Sequence, residues 1–187
     1  MKRFSILAAA VLLPQAALAH VGHPGRGQFA DGLAHPAGGA DHLLAMVALG
    51  LLAAQIGGRA MWALPLAFVG SMVAGGLAGV GGLPFPGVEP MILASVIVLG
   101  ALVATAARPP LALLAPGAAV FGFAHGWAHG AEGPSQGLAA YAAGFALATL
   151  ALHLAGMAAG KALNHGALLR GLGGGTAVAG LALAMGA

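Results

Sequence analysis

Six apolar segments follow one another through this chain with only short polar breaks between them. They run near 34–56, 60–80, 88–107, 110–128, 137–159 and 167–186. Each, at about 20 residues, is long enough as a helix to cross a hydrocarbon layer roughly 30 Å thick. No water is available at that depth, so every backbone N–H and C=O must be paired inside the protein, and helices meet that condition segment by segment. The chain is 60% hydrophobic and 6% charged, against about 25% charged in a soluble domain. Too few polar side chains are present to clothe a water-facing surface. These features predict an all-α integral membrane protein, a six-transmembrane-helix bundle occupying residues 20–187.

The first 19 residues have a different pattern. Lys2 and Arg3 precede a short apolar core, Ser5 to Leu13, and Ala17-Leu18-Ala19 has the small-x-small form that a signal peptidase cuts. Residues 1–19 therefore read as a cleaved signal peptide, with an uncleaved anchor helix as the alternative. Cleavage would make His20 the new N-terminus, outside the cytoplasm. Its amine and imidazole, with His23 beside them, could chelate a divalent ion, although a chain terminus is ordinarily loose.

The charges orient the spans. Gly and Pro clusters mark breaks at Gly57-Gly58-Arg59, Gly81 to Pro84, Arg108-Pro109-Pro110, Gly130 to Ser135 and Lys161 to Gly166. Arg59, Arg108, Lys161 and Arg170 fall in or beside the first, third and fifth connections, whereas the second and fourth hold Glu89 and Glu132. Excess Lys and Arg marks the cytoplasmic side, so both termini of the mature chain are expected in the periplasm and the protein in the bacterial inner membrane. A net charge of +3 spread without a basic run gives no footing for nucleic acid. The absence of cysteine excludes disulfides and thiolate metal sites. Gly75-x3-Gly79, Gly122-x3-Gly126-x3-Gly130 and Gly156-x3-Gly160 read as close helix packing.

Ionisable residues inside spans are costly and mark ion or substrate paths. The densest group is His35-Pro-Ala-Gly-Gly-Ala-Asp41-His42-Leu-Leu-Ala-Met46. In one regular helix His35, His42 and Met46 would fall within about 20° of a line, with Asp41 about 100° from His42. Gly38-Gly39 could loosen the first turn and bring Asp41 round. The fourth span ends in His125-x3-His129-x2-Glu132; two imidazoles one turn apart can share an ion, or the pair is simply interfacial beside Trp127. By direction of travel, His35, Asp41, His42, His125 and His129 all lie near the outer face, and Glu89 opens the third span from the same side. Three segments thus bring nitrogen and oxygen ligands to one level. In the fifth span Thr149, His153 and Met157 recur every four residues. His153 stands about 25 Å from the outer end, either as a second polar station or as one interhelical hydrogen bond.

At these residues a family is recognisable. His35-Pro-x2-Gly-x-Asp41-His42-x3-Met46, followed by His125-Gly-x2-His129-Gly-x-Glu132, resembles the HupE/UreJ family of hydrogenase and urease accessory membrane proteins, over the whole mature chain. The first motif also resembles the His-x4-Asp-His element of larger nickel/cobalt transporters. The resemblance implies a nickel permease, with cobalt as a second cargo, in which His35, Asp41 and His42 select the ion and His125, His129 and Glu132 assist. The ligand set itself suits a borderline divalent metal, since imidazole binds nickel, copper and zinc alike. The expected cargo is Ni²⁺; no resident cofactor, nucleic acid or ATPase subunit is expected. The metal-ligand candidates are His35, Asp41, His42, Met46, His125, His129, Glu132, His153, His20, His23 and Glu89. Two alternatives stand beside the permease: an intramembrane metallohydrolase and a metal receptor that does not transport. Against the hydrolase, Gly126 occupies the place where an HExxH motif needs glutamate, so the chain is not expected to be an enzyme.

Overall fold

The computed structural model describes residues 27–164 and 166–186. Residues 1–19, expected to be a signal peptide, and His20 and His23 lie outside the described residues. Among the described residues the fold is entirely helical: α1 (Gln28–Ala34), a 3-10 turn (His35–Gly38), α2 (Ala40–Ile56), α3 (Ala60–Val80), α4 (Val88–Thr105), α5 (Leu111–Glu132), α6 (Leu138–Ala162) and α7 (Ala167–Gly186). Helices α3 to α7 are each long and apolar enough to cross a membrane, and the chain is a multi-pass membrane protein. Their bounds follow the expected segments closely, except that α5 continues past residue 128 to Glu132.

The first expected span is different. It is not one regular helix: residues 34–56 divide into the 3-10 turn and α2, and α1 with that turn, which begins before the expected span, is bent by 84° from α2. Pro36 is the second residue of the 3-10 turn, within its first turn, where its missing N–H costs nothing. Gly39 follows in an extended conformation and caps α2. The expected straight stripe of His35, His42 and Met46 is therefore corrected: His42 and Met46 share a face of α2, and His35 sits on the turn. Broken helices at membrane depth are tolerated where they line a polar interior, and this break lies beside the imidazole cluster described below.

Glycine backbones decide the packing. A Cβ on Gly126 would strike the Met72 carbonyl, one on Gly122 the Phe68 carbonyl, and one on Gly75 the Phe123 carbonyl. These contacts advance together along α3 and α5, so the two helices lie parallel. Gly50 and Gly156 likewise meet across α2 and α6, with Gly160 against Leu51 and Ala54 further on, so this pair is parallel too. In α4 and α7 the order reverses, Gly100 meeting Gly173 and Ala177 while Gly180 meets Val96 and Ile97. Small residues that let backbones touch are the usual means of helix association where lipid supplies no hydrophobic drive.

With short connections, these directions make an up-and-down bundle. Arg59, Arg108, Lys161 and Arg170 fall at one end, which we call the basic end; Glu89 and Glu132 fall at the opposite, acidic end. Arg170 Nε donates to the Ala104 carbonyl at 2.9 Å, near the C-terminus of α4, where a cation is favoured. At the acidic end Trp127 Nε1 donates to Leu83 O at 2.8 Å and fastens the α3–α4 connection over α5.

Candidate metal site

The site begins with a glycine. A Cβ on Gly39 would meet Asp41 Oδ1 at 2.8 Å and His42 Nδ1 at 3.2 Å. Only a residue without a side chain leaves room there for the Asp41 carboxylate to fold back onto His42. Asp41 lies in the first turn of α2, where unpaired N–H groups and the helix dipole favour a negative charge. Its Oδ1 accepts from the His42 backbone N–H at 2.8 Å and lies 2.9 Å from His42 Nδ1.

A carboxylate can only accept. It therefore fixes the proton of neutral His42 on Nδ1 and leaves Nε2 a bare lone pair. This carboxylate–imidazole arrangement is the one that orients metal-binding histidines. His42 Nε2 faces His129 Nε2 at 2.6 Å. With His42 accepting, His129 donates through Nε2, and its own Nδ1 is left buried without a partner. A similar argument fixes His125. Ser95 Oγ donates to Ile92 O at 2.6 Å and stands 3.0 Å from His125 Nε2. Its proton is already committed, so it accepts from His125 Nε2–H, and His125 Nδ1 is a second buried lone pair without a partner.

The four imidazoles form one contiguous group. Ring centroids are 4.6 Å apart for His35 and His129, 4.4 Å for His42 and His129, and 4.5 Å for His42 and His125. Aromatic rings wall it: Phe145 at 4.2 Å from His129, Tyr141 at 5.6 Å from His35 and Phe68 at 5.4 Å from His125. Among the described residues, no three His, Asp or Glu side chains already aim at one point. The group is closed on itself: 2.6 Å between the facing nitrogens is shorter than the roughly 3 Å that separates two nitrogens sharing an ion at about 2.1 Å each. A cavity of about 210 Å³ lies beside His129 between α3, α5 and α6, walled by Met72, Leu77, Leu138, Tyr141 and Phe145.

The other expected ligands are distributed around this group. Met46 is wholly buried in the main core, one turn beyond His42. Glu132 is exposed at the last residue of α5, and Glu89 is exposed in the first turn of α4. His153 is wholly buried on α6, and neither of its ring nitrogens has a partner. Thr149, one turn before it, donates to Met72 Sδ at 3.8 Å. The interhelical hydrogen bond that would make His153 merely structural is absent among the described residues. The spacing between His35 and Asp41 is also one residue longer than in the His-x4-Asp-His element; here Pro36 to Ala40 span the 3-10 turn and the Gly39 cap of α2.

Ser95, Phe68, Phe145 and Tyr141 were not anticipated. Ser95 orients His125, and its signal was visible as the polar residue in the otherwise apolar middle of α4. Phe68 touches His125, and nothing in its apolar surroundings marks it in the sequence.

A family model described as HupE / UreJ protein matches residues 8–183. Protein HupE of Rhizobium leguminosarum bv. viciae is 43% identical over 184 residues, which cover 95% of this chain and 95% of that protein. No solved structure matches the chain. A match spanning nearly every described helix, with the Asp41–His42 pair and the His125–His129 pair meeting in its interior, places the chain in the HupE/UreJ family.

Proposed function

We propose that the protein is a permease that carries Ni²⁺, with Co²⁺ as a second cargo, across the inner membrane into the cytoplasm for maturation of a metalloenzyme such as hydrogenase or urease. The observation that carries this reading is the polarity of the imidazole cluster: His42 is held with a bare Nε2 by Asp41, and His125 and His129 each keep a buried lone pair with no partner. Buried polar atoms are almost always paired. Lone pairs kept free in a low-dielectric interior are what a passing cation can use.

The cation enters from the acidic end, which the distribution of Lys and Arg makes periplasmic. It exchanges part of its water for His42 Nε2 as the His42–His129 hydrogen bond opens. His129 and His125, and His35 from the turn, offer further nitrogens in sequence, with Glu132 and Glu89 attracting cations at the mouth. A cleaved N-terminus would add His20 and His23 as a capture site, with residues 20–187 as the transporting unit. His153, with Met157 one turn further, is a deeper and weaker station. Imidazole and thioether without thiolate suit release as well as capture, and conduction needs sites weak enough to leave.

Purified protein in proteoliposomes, with a metal indicator inside, tests this directly. Nickel should enter on addition outside, with competition from cobalt exceeding that from zinc. Metal binding without entry of nickel, cobalt, zinc or copper would replace the permease with a receptor, and cleavage of lipid or peptide would favour the hydrolase.

A further inference from the structure

We infer that Phe68 is a gate in the ion path, an apolar ring that separates the imidazole cluster from the deeper station at His153 and sets which ions pass. This inference rests on the permease reading above. The ring is wholly buried, 5.4 Å from the His125 ring and 5.2 Å from the His153 ring by centroids. His125 and His153 do not pair with each other; Phe68 is the ring in contact with both. Helix rise puts His125 about 10 Å, Phe68 about 18 Å and His153 about 22 Å from the acidic end. The aromatic ring thus stands between two imidazoles in depth as well as in contact.

Both neighbours have unused lone pairs. His125 Nδ1 and both nitrogens of His153 are buried without partners. Three unpartnered nitrogens around one phenyl ring, one lone pair on each imidazole, do not fit a passive core, where buried polar groups are satisfied. They fit a relay in which an ion is passed from one imidazole to the other across an apolar step.

The geometry also says what moves. The Phe68 carbonyl accepts from Ser71 Oγ at 2.9 Å and lies so close to Gly122 that a Cβ there would strike it. The backbone is pinned by α5, so opening is a rotation of the side chain. Met72, one turn beyond on the same helix, is a flexible thioether that can yield to it.

A phenyl ring across a path is a barrier to water and to ions that keep their water. Mg²⁺ gives up its hydration reluctantly and is stopped. An ion that has exchanged water for imidazole at His125 meets the ring partly dehydrated, gains some attraction from its face, and reaches His153.

The test is ion flux in proteoliposomes of wild-type protein and of Phe68→Ala, Phe68→Leu and Phe68→Trp, with Ni²⁺, Mn²⁺ and Mg²⁺ supplied separately. The gate requires that Phe68→Ala and Phe68→Leu raise Mn²⁺ and Mg²⁺ flux relative to Ni²⁺ at least tenfold. The half-saturating Ni²⁺ concentration, set by the outer cluster, should stay within twofold. Phe68→Trp should slow Ni²⁺ at least tenfold, again with little change in half-saturation. Unchanged ion ratios in folded variants would overturn the gate. So would failure of all three variants to fold, which would make Phe68 core packing alone. A wild type that carries no ion at all refutes the permease; a wild type that carries nickel beside variants of unaltered selectivity refutes only the gate.

Discussion

Replacing Asp41 by asparagine removes one charge and almost no volume, and the structure makes its effect calculable. Oδ1 holds both the backbone N–H and Nδ1 of His42, at 2.8 and 2.9 Å. A hydrogen bond to a charged group contributes about 1.5–3 kcal/mol and a neutral one about 0.5–1.5. The weaker hold on the ring therefore amounts to about 1–2 kcal/mol, on the order of tenfold in ion affinity. A second loss comes from the amide itself. Its NH₂ can donate to Nδ1, which moves the imidazole proton to Nε2 and blocks the nitrogen that faces the path. Together these place Asp41→Asn in the range of about 10- to 100-fold that outer-shell partners of metal ligands show. The cost to folding is smaller, about 0.3–1 kcal/mol for a helix-terminal charge, so membrane levels should hold. Nickel uptake into proteoliposomes as a function of concentration should give a half-saturating value raised by that factor. Asp41→Ala and His42→Ala should abolish uptake at normal membrane levels. Folded Asp41→Asn with wild-type half-saturation would refute the tautomer argument.

His153→Leu separates function from stability. It removes two unpartnered buried nitrogens, each costing about 1–3 kcal/mol, so the melting temperature should rise by about 2–4 °C per kcal/mol while nickel flux falls at least tenfold; a fall in both would show that His153 is structural. Gly126→Val should cut the yield of monodisperse protein several-fold, since its Cβ meets the Met72 carbonyl, whereas Gly117→Ala, with open space around it, should leave yield unchanged in size-exclusion chromatography. The chain contains no cysteine, so single cysteines report sidedness cleanly: an impermeant thiol reagent on spheroplasts should label Glu132→Cys and spare Arg108→Cys, and the reverse pattern would invert the orientation.

Much of the bundle was legible because hydrocarbon imposes a simple rule on length and polarity. Helices α3 to α7 fall where apolar runs and Gly or Pro breaks predict them. The glycine repeats, read as packing, are packing. The break at Gly39 was only half legible. Gly38-Gly39 signals a weak point, but the 84° bend depends on α1 docking against α6, where Gly32 meets the Tyr141 backbone and Gly144 that of Phe29. No local pattern encodes such a distant contact. The meeting of His42 with His129 was legible as a shared depth. Their hydrogen bond, and the tautomers that Asp41 and Ser95 impose, depend on how helices rotate about their axes. In spans apolar nearly all round, periodicity gives no rotation, which is why Phe68 went unseen.

The parallel pairing of α2 with α6 and of α3 with α5 has a mechanical consequence. Each pair is joined backbone to backbone at its glycines. Each therefore behaves as one stiff block. His42 and His153 ride on the first block; Phe68, His125 and His129 ride on the second. The 2.6 Å bond between His42 and His129 spans the seam. The His42–His125 and Phe68–His153 ring contacts cross it too, so when such blocks shift these separations change together while spacings inside each block do not. A pair of spectroscopic labels placed across the seam, on the lipid-facing sides of α2 and α5, would then report the working cycle of the protein as a single coordinate.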